Sequence, residues 1–184
     1  MVEPARGPFL FDTSAESWLA RSGQPAIHAW MNLYQSRHPI HLSAVTVLER
    51  IRGYSLLWHT AQTDQRVQIE VSRTNYLNAL GQVWPLDWAV AVVAAEIMAI
   101  LPDPPTPVKR SHKFAESKPD RLSRWRFDAM IAATALVAQM PLIHNNAADF
   151  ETIRGAIEVS PERFPGLGPL DLIRCSSLLP PARN

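Results

Sequence analysis

The sequence is poor in cysteine and has almost no net charge. Its 184 residues include one cysteine, Cys175, which excludes an internal disulfide and a thiolate metal cluster. Because 18 Lys and Arg oppose 17 Asp and Glu, the formal net charge is +1. This balance excludes a polybasic chain that binds nucleic acid along its whole length, although it allows a local basic patch. A reducing, cytoplasmic setting fits the composition best.

Long apolar runs are also missing. The most apolar window, residues 88–101, carries Glu96 and is shorter than the roughly 20 residues that a membrane span needs. The first residues, MVEPARGPFLFD, hold only a short apolar stretch and do not fit the core of a signal peptide. Apolar residues make up 47% of the chain, which is enough for a hydrophobic core. We expect one domain over residues 1–184 and no membrane contact.

Segments typical of strands and helices alternate along the chain. Short apolar runs predict strands at residues 8–11, 39–44, 83–86, 141–144 and 171–175. Helical patterns or capping signals predict helices at residues 24–37, 45–54, 61–81, 87–100, 127–139 and 145–155. The alternation predicts an α/β fold of three layers, in which helices cover both faces of a mostly parallel sheet.

Four acidic residues are expected at one edge of this sheet. In such folds ligands bind outside the carboxyl ends of the strands, and Asp12 and Asp149 each follow a predicted strand. Glu49 lies in the helix after the second strand, and Asp128 opens the apolar helix of residues 127–139. Singly, Asp12 and Asp128 could be helix N-caps, Glu49 a solvated residue and Asp149 an ordinary acid of a helix start. Jointly, the four predict a shared site.

A cluster of carboxylates needs a compensating cation. Buried carboxylates cost several kcal/mol unless they are paired or bound to metal, and neighbouring ones repel each other. Hard oxygen ligands without thiolates favour Mg²⁺ or Mn²⁺ over zinc, and the six histidines show no zinc-ligand spacing. The sequence therefore predicts a divalent-cation site.

Four segments in this order resemble PIN-domain ribonucleases, in particular the VapC-type toxins of bacterial toxin–antitoxin pairs. They are FLFDTS (9–14), LSAVTVLERIRG (42–53), FDAMIAATA (127–135) and PLIHNNAADF (141–150). The resemblance implies an Mg²⁺- or Mn²⁺-dependent endoribonuclease whose acidic quartet is Asp12, Glu49, Asp128 and Asp149. In this reading Asp12 and Asp128 are the primary metal ligands.

The resemblance also implies supporting residues and partners. Thr13 or Ser14 and Asn146 correspond to the family's polar support, whereas His144 departs from the Thr or Ser that is common at its position. The implied partners are an RNA substrate and a cognate antitoxin, and a homodimer is a further expectation. Arg or Lys of an antitoxin could pair with the carboxylates. The helix of residues 24–37 could offer a second surface, although core packing is the better use of its apolar stripe.

Residues 102–126 depart most from the family pattern. Residues 101–107 hold four prolines, and residues 109–126 hold seven Lys and Arg against two acids. We expect an insertion in which Arg121, Arg124 and Arg126 contact RNA phosphates and Trp125 stacks on an unpaired base. A solvated loop with ordinary surface charges is the alternative.

Two other functions are weighed against a nuclease. A non-catalytic PIN-like scaffold that binds RNA or protein would be expected to lack at least one of the four acids, and all four are present. A metal-dependent phosphatase would need a DxD motif after the first strand, where the sequence is Asp12-Thr13-Ser14.

Overall fold

The computed structural model describes residues 2–104 and 118–179. Five short strands form one sheet in the order β3-β2-β1-β4-β5, and every neighbouring pair is parallel. The strands are β1 (Leu10–Phe11), β2 (His41–Ser43), β3 (Gln82–Trp84), β4 (Leu142–His144) and β5 (Leu172–Arg174). All five lie within the strands that the sequence predicts or overlap them.

Helices follow the strands and cover both faces of the sheet. They are α1 (Thr13–Arg21), α2 (Pro25–Gln35), α3 (Ala44–Thr60), α4 (Thr63–Asn78), α5 (Trp88–Ile100), α6 (Lys118–Ala138) and α7 (Ala147–Glu158). The predicted three-layer α/β fold is therefore confirmed.

Alternation along the two central strands separates two cores. Leu10 and Leu142 face α5, α6 and α7, whereas Phe11 and Ile143 face α1 and α2. Because successive side chains of a strand point to opposite faces, a short strand can supply both layers. All four side chains are fully buried, so these strands hold the sheet between two apolar layers, as is usual for parallel sheets.

The apolar stripe of α2 packs into the core, as its spacing predicts. Trp30 is 5% exposed and Tyr34 is fully buried, and their rings stack at a centroid distance of 5.4 Å. The Tyr34 hydroxyl accepts a hydrogen bond from the backbone N–H of Phe9 at 3.1 Å, next to β1. Core packing is therefore the use of this stripe, and Trp30 and Tyr34 do not form a partner surface, because both side chains are buried.

Helix α6 begins earlier than the sequence predicts. The expected start is Phe127, but the helix already includes Lys118, so residues 118–126 are helical rather than part of an irregular insertion. The many charged residues of this stretch make its apolar contact hard to predict. Trp125 is buried against the core and donates a hydrogen bond to the carbonyl of Pro102. Residues 105–117, which carry the rest of the predicted insertion, lie outside the described residues.

Helices α3 and α4 form a hairpin that projects from the sheet. No residue of α4 is buried, and Leu56 and Leu57 of α3 are more than half exposed. Arg50 ties the hairpin to α1, because it pairs with Glu16 at 3.0 Å and also lies over the Tyr76 ring of α4. None of the helices in the described ranges is both long enough and apolar enough to cross a membrane.

Candidate functional site

Asp12 lies directly after β1 and is the N-cap of α1. Its carboxylate accepts hydrogen bonds from the backbone N–H of Ala15 at 2.5 Å and from the Ser14 hydroxyl at 2.7 Å. The Ser14 hydroxyl accepts in turn from the backbone N–H of Asn145, at the end of β4. The alternative that Asp12 caps a helix is therefore confirmed, and Ser14 links the ends of two neighbouring strands.

Glu49 reaches the same edge from α3. This helix begins directly after β2, where the Ser43 hydroxyl accepts from the backbone N–H of Thr46 and so caps it. Glu49 lies in the second turn, is partly buried, and accepts a short hydrogen bond from the Thr13 hydroxyl. Both hydroxyls that are predicted as polar support therefore contact an acid: Ser14 donates to Asp12, and Thr13 donates to Glu49.

Asn146 joins the remaining two acids. Its side-chain amide lies 2.6 Å from the carboxylate of Asp149 and 3.3 Å from that of Asp128. Both acids are about 5% exposed. Asp149 is in the first turn of α7, as predicted, whereas Asp128 lies well inside α6 and is not its N-cap. Its position comes from packing of α6 against the sheet and not from a helix start.

Burial is the main cause of the perturbed acidity at Asp12. Loss of solvation raises its pKa from 3.8 to about 7, although the hydrogen bonds from Ser14 and Ala15 oppose the shift. The negative charge of Glu49 raises it further. Burial likewise raises the pKa of Glu49, against the effects of Thr13 and nearby arginines.

Asp128 feels all three other carboxylates. Burial raises its pKa well above the ordinary value, and the charges of Asp149, Asp12 and Glu49 add to the shift in that order. Arg124 opposes it. The structure thus brings the four acids close enough for their charges to act on one another, at the edge of the sheet where the sequence places them.

Arg124 is a basic residue that contacts this site. Its Nε atom lies 3.7 Å from Oδ2 of Asp149, and its charge also lowers the pKa values of Asp128 and Glu49. The sequence reasoning places Arg124 on an RNA-docking segment and misses this contact. The available signal is its spacing of four residues from Asp128, which puts both on one face of a helix. A helix that is predicted to begin only at Phe127 leaves Arg124 outside it, so the helical spacing to Asp128 is not recognised.

The chemical groups of the cluster suit a hard cation, but their present positions do not form a ready metal-binding group. The four carboxylates offer the oxygen ligands that Mg²⁺ and Mn²⁺ prefer. Within residues 2–104 and 118–179, however, no three His, Cys, Asp or Glu side chains already stand as a metal-binding group. The Asn146 amide and the Arg124 guanidinium instead compensate the carboxylates.

The expected RNA-docking residues have different surroundings. Arg126 is exposed and Arg121 is partly buried, both on α6. Trp125 is only 6% exposed and packs in the core that includes Val90 and Ala129. The prediction that Trp125 stacks on an RNA base is therefore wrong, because its ring is covered by protein.

Comparison with known proteins agrees with this architecture. Three solved structures share the fold at low sequence identity. VapBC2 from Rickettsia felis, bound to a DNA fragment from its promoter, is 14% identical (TM-score 0.54) and covers 90% of this chain and 97% of its own. FitAB bound to the IR36 DNA fragment is 20% identical (TM-score 0.57; 96% and 100%), and FitAcB from Neisseria gonorrhoeae is 23% identical (TM-score 0.52; 79% and 93%).

A comparison with curated proteins finds no match. The model of the PIN domain family, by contrast, matches residues 9–156, a stretch that runs from β1 through the carboxylate cluster to α7. The chain therefore belongs to the PIN domain family.

Proposed function

We propose that this protein is an endoribonuclease that hydrolyses RNA phosphodiester bonds with Mg²⁺ or Mn²⁺. The observation that carries the proposal is the convergence of four carboxylates at the carboxyl edge of the sheet, two of them with strongly raised pKa values. A fold does not need such a cluster, since buried like charges destabilise it. Membership of the PIN domain family supports a nuclease.

Each residue of the cluster has a role in the proposed reaction. Asp12 and Asp128, the most deeply buried pair with strongly raised pKa values, would hold the cation, which would activate water and neutralise charge on the phosphoryl group. Glu49 and Asp149 complete the cluster and orient the attacking water. Thr13 holds Glu49, and Asn146 holds Asp128 and Asp149 through the hydrogen bonds described above.

Substitution of the two proposed ligands tests the activity. Asp12→Asn and Asp128→Asn should each reduce Mg²⁺-dependent cleavage of single-stranded RNA by roughly 100-fold or more, the range seen when a group that stabilises transition-state charge is removed. Asp171→Asn is the matched control, because Asp171 is exposed and precedes β5 at the opposite edge of the sheet. Cleavage at the wild-type rate by either variant would contradict the site assignment.

We propose a cognate antitoxin as the regulatory partner in the cytoplasm. The resemblance to VapC-type toxins supports this proposal. The carboxylate cluster can accept a second basic residue beside Arg124, so an Arg or Lys of the partner would pair with it. Leu48 and Leu56, both about half exposed, lie on α3 directly before Glu49 and two turns after it, and offer apolar contact near the site. Co-expression with the flanking gene and co-purification test the pairing. A chain that is active, purifies alone and is harmless to its host would speak against a toxin.

We also propose a homodimer that forms through α5. Its most exposed side chains form an apolar stripe, in which Trp88 is 81% and Val92 is 55% exposed and alanines follow at 91, 95 and 99, and Glu96 beside this stripe is paired with Arg163. An exposed apolar stripe is often an interaction surface, and such a stripe can pair with its own copy about a twofold axis. Sedimentation of the wild type and of Val92→Lys should show a dimer and a monomer respectively.

A non-catalytic scaffold is the second candidate. It would bind RNA or protein through the same surface without cleaving RNA. The raised pKa of Asp128 argues against it, because a binding role alone gives no reason to keep mutually repelling acids buried together. RNA binding without any metal-dependent cleavage by the wild type would favour the scaffold.

A further inference from the structure

Arg124 lies beside the carboxylate cluster. It lies one helical turn before Asp128 on the same face of α6, and its Nε atom is 3.7 Å from Oδ2 of Asp149. Its charge also acts on Glu49 from across the site. The guanidinium therefore faces three of the four acids, which come from α3, α6 and α7.

The ion pair between Arg124 and Asp149 neutralises part of the negative charge of the site, but it is open to solvent. The side chain of Arg124 is 41% exposed, whereas that of Asp149 is 8% exposed. A pair of this kind is held by partial charge neutralisation and is screened by water, so it contributes about 1 kcal/mol or less. Such a side chain can leave the carboxylates at little cost when a stronger cation replaces it.

We infer that Arg124 is a positioning residue that holds the carboxylate cluster together in the absence of metal, and that a divalent cation competes with its guanidinium for the same carboxylates. The inference rests on the proposed metal-dependent function and adds to it a regulation of that site. Oxygen ligands cannot give the same lone pairs to the guanidinium and to a metal ion, so occupancy by one weakens the other. Arg124 thereby sets the concentration of metal that the enzyme needs.

Calorimetric titration with Mn²⁺ alone provides the first test. Arg124→Gln should bind Mn²⁺ about fivefold more tightly than the wild type, the equivalent of removing one partly exposed ion pair. Arg126→Gln is the matched control, since Arg126 is on the same helix and carries the same charge but is exposed. Its affinity should change less than twofold. Equal or weaker Mn²⁺ binding by Arg124→Gln would overturn the inference.

Thermal unfolding separates this role from ordinary packing. In metal-free buffer Arg124→Gln should melt below both Arg126→Gln and the wild type, because the carboxylates lose their counter-charge. Arg124→Lys should recover part of the difference. With saturating Mn²⁺ the difference should disappear, whereas a gap that stays the same with and without Mn²⁺ would identify a packing residue and refute the competition.

Failure of the proposed metal site would give another pattern. If the wild type bound no Mn²⁺, or if Asp12→Asn and Asp128→Asn bound it as tightly as the wild type, the metal site itself would be wrong and the competition would fall with it. If binding depended on both aspartates but not on Arg124, only the present inference would fail.

Discussion

Asp12 serves the fold and the site with the same two oxygens. It caps α1 by accepting from the Ala15 N–H, and it belongs to a cluster whose charges repel each other. Replacement by Ala would remove both features, at a cost of about 1 kcal/mol for the lost cap. Replacement by Asn keeps a good N-cap and removes only the charge, so Asn is the substitution that isolates the site chemistry.

The raised pKa of Asp12 makes the stability of the metal-free protein depend on pH. The folded pKa is about 7 and the ordinary value is 3.8, so between these values the folded state holds a proton that the unfolded state has lost. The resulting stabilisation is fully present below pH 3.8 and is lost as the pH rises through about 7. Relative to Asp12→Asn, the wild type should therefore become less stable from pH 5 to pH 8.

Urea unfolding in the presence of a chelator measures this difference. At pH 8 Asp12→Asn should be the more stable protein, and the gap between the two free energies of unfolding should close toward pH 4. A wild type that gains stability relative to Asp12→Asn as the pH rises would show that the Asp12 carboxylate is not desolvated in the folded state.

Three of the four acids could be placed from the sequence because strand ends fix them. Asp12 and Asp149 follow β1 and β4, and Glu49 follows β2 in the second turn of α3, so the parallel pairing brings them to one edge. Asp128 follows no strand. The structure places it with the other three acids, but its position inside α6 results from tertiary packing, which no local signal in the sequence reports.

At the scale of elements, α6 is where sequence reasoning is weakest. Seven basic residues among positions 109–126 suggest a solvated segment, and this charge obscures the apolar positions Leu122 and Trp125. A helix tolerates many charges on its exposed side while a few apolar residues anchor the other, and long basic side chains cover apolar surface with their stems. The strands and the other predicted helices, whose patterns are less charged, are placed with errors of up to six residues at their ends, whereas α1 is indicated only by its N-cap, Asp12.

Trp125 should behave as an anchor of α6 and not as a contact for RNA. Trp125→Ala should lower the free energy of unfolding by about 3–5 kcal/mol, the usual cost of emptying a buried aromatic site. Trp125→Phe should cost less, because it keeps most of the packing and loses chiefly the hydrogen bond to the Pro102 carbonyl. Chemical denaturation of both variants checks this order.

RNA affinity distinguishes the two roles of Trp125. Loss of a stacked base would cost about 1–3 kcal/mol of binding energy, and that loss would occur even in the well-folded Phe variant if the indole were the contact. We expect Trp125→Phe to bind RNA like the wild type. Weakened binding together with unchanged stability would restore the stacking hypothesis.

At the scale of the whole molecule, opposite charges meet at one edge of the sheet. The carboxylates repel phosphate, yet a nuclease must bring a phosphate to them, so positive charge nearby has to offset the repulsion. The exposed or partly exposed arginines of α6 are placed for this, because that helix carries Asp128. Since Arg124 already compensates Asp149, we expect Arg121 and Arg126 to make most of the contacts to phosphate.

The salt dependence of RNA binding tests this division of labour. Each phosphate contact to a single strand contributes about 0.7 to the slope of log affinity against log salt, through release of counterions. The double variant Arg121→Ala/Arg126→Ala should therefore flatten that slope by about 1.4. Both proteins should carry Asp128→Asn, so that the RNA stays intact during the measurement.

Arg6→Ala/Arg37→Ala in the same Asp128→Asn background is the matched control. These two arginines are exposed and precede β1 and β2, so they lie at the amino edge of the sheet, away from the carboxylates. They also remove two positive charges, which keeps the change in net charge identical. If the slope flattened equally in both double variants, RNA would be responding to overall charge; if it flattened in neither, RNA would approach the carboxylates by a route that avoids both Arg121 and Arg126.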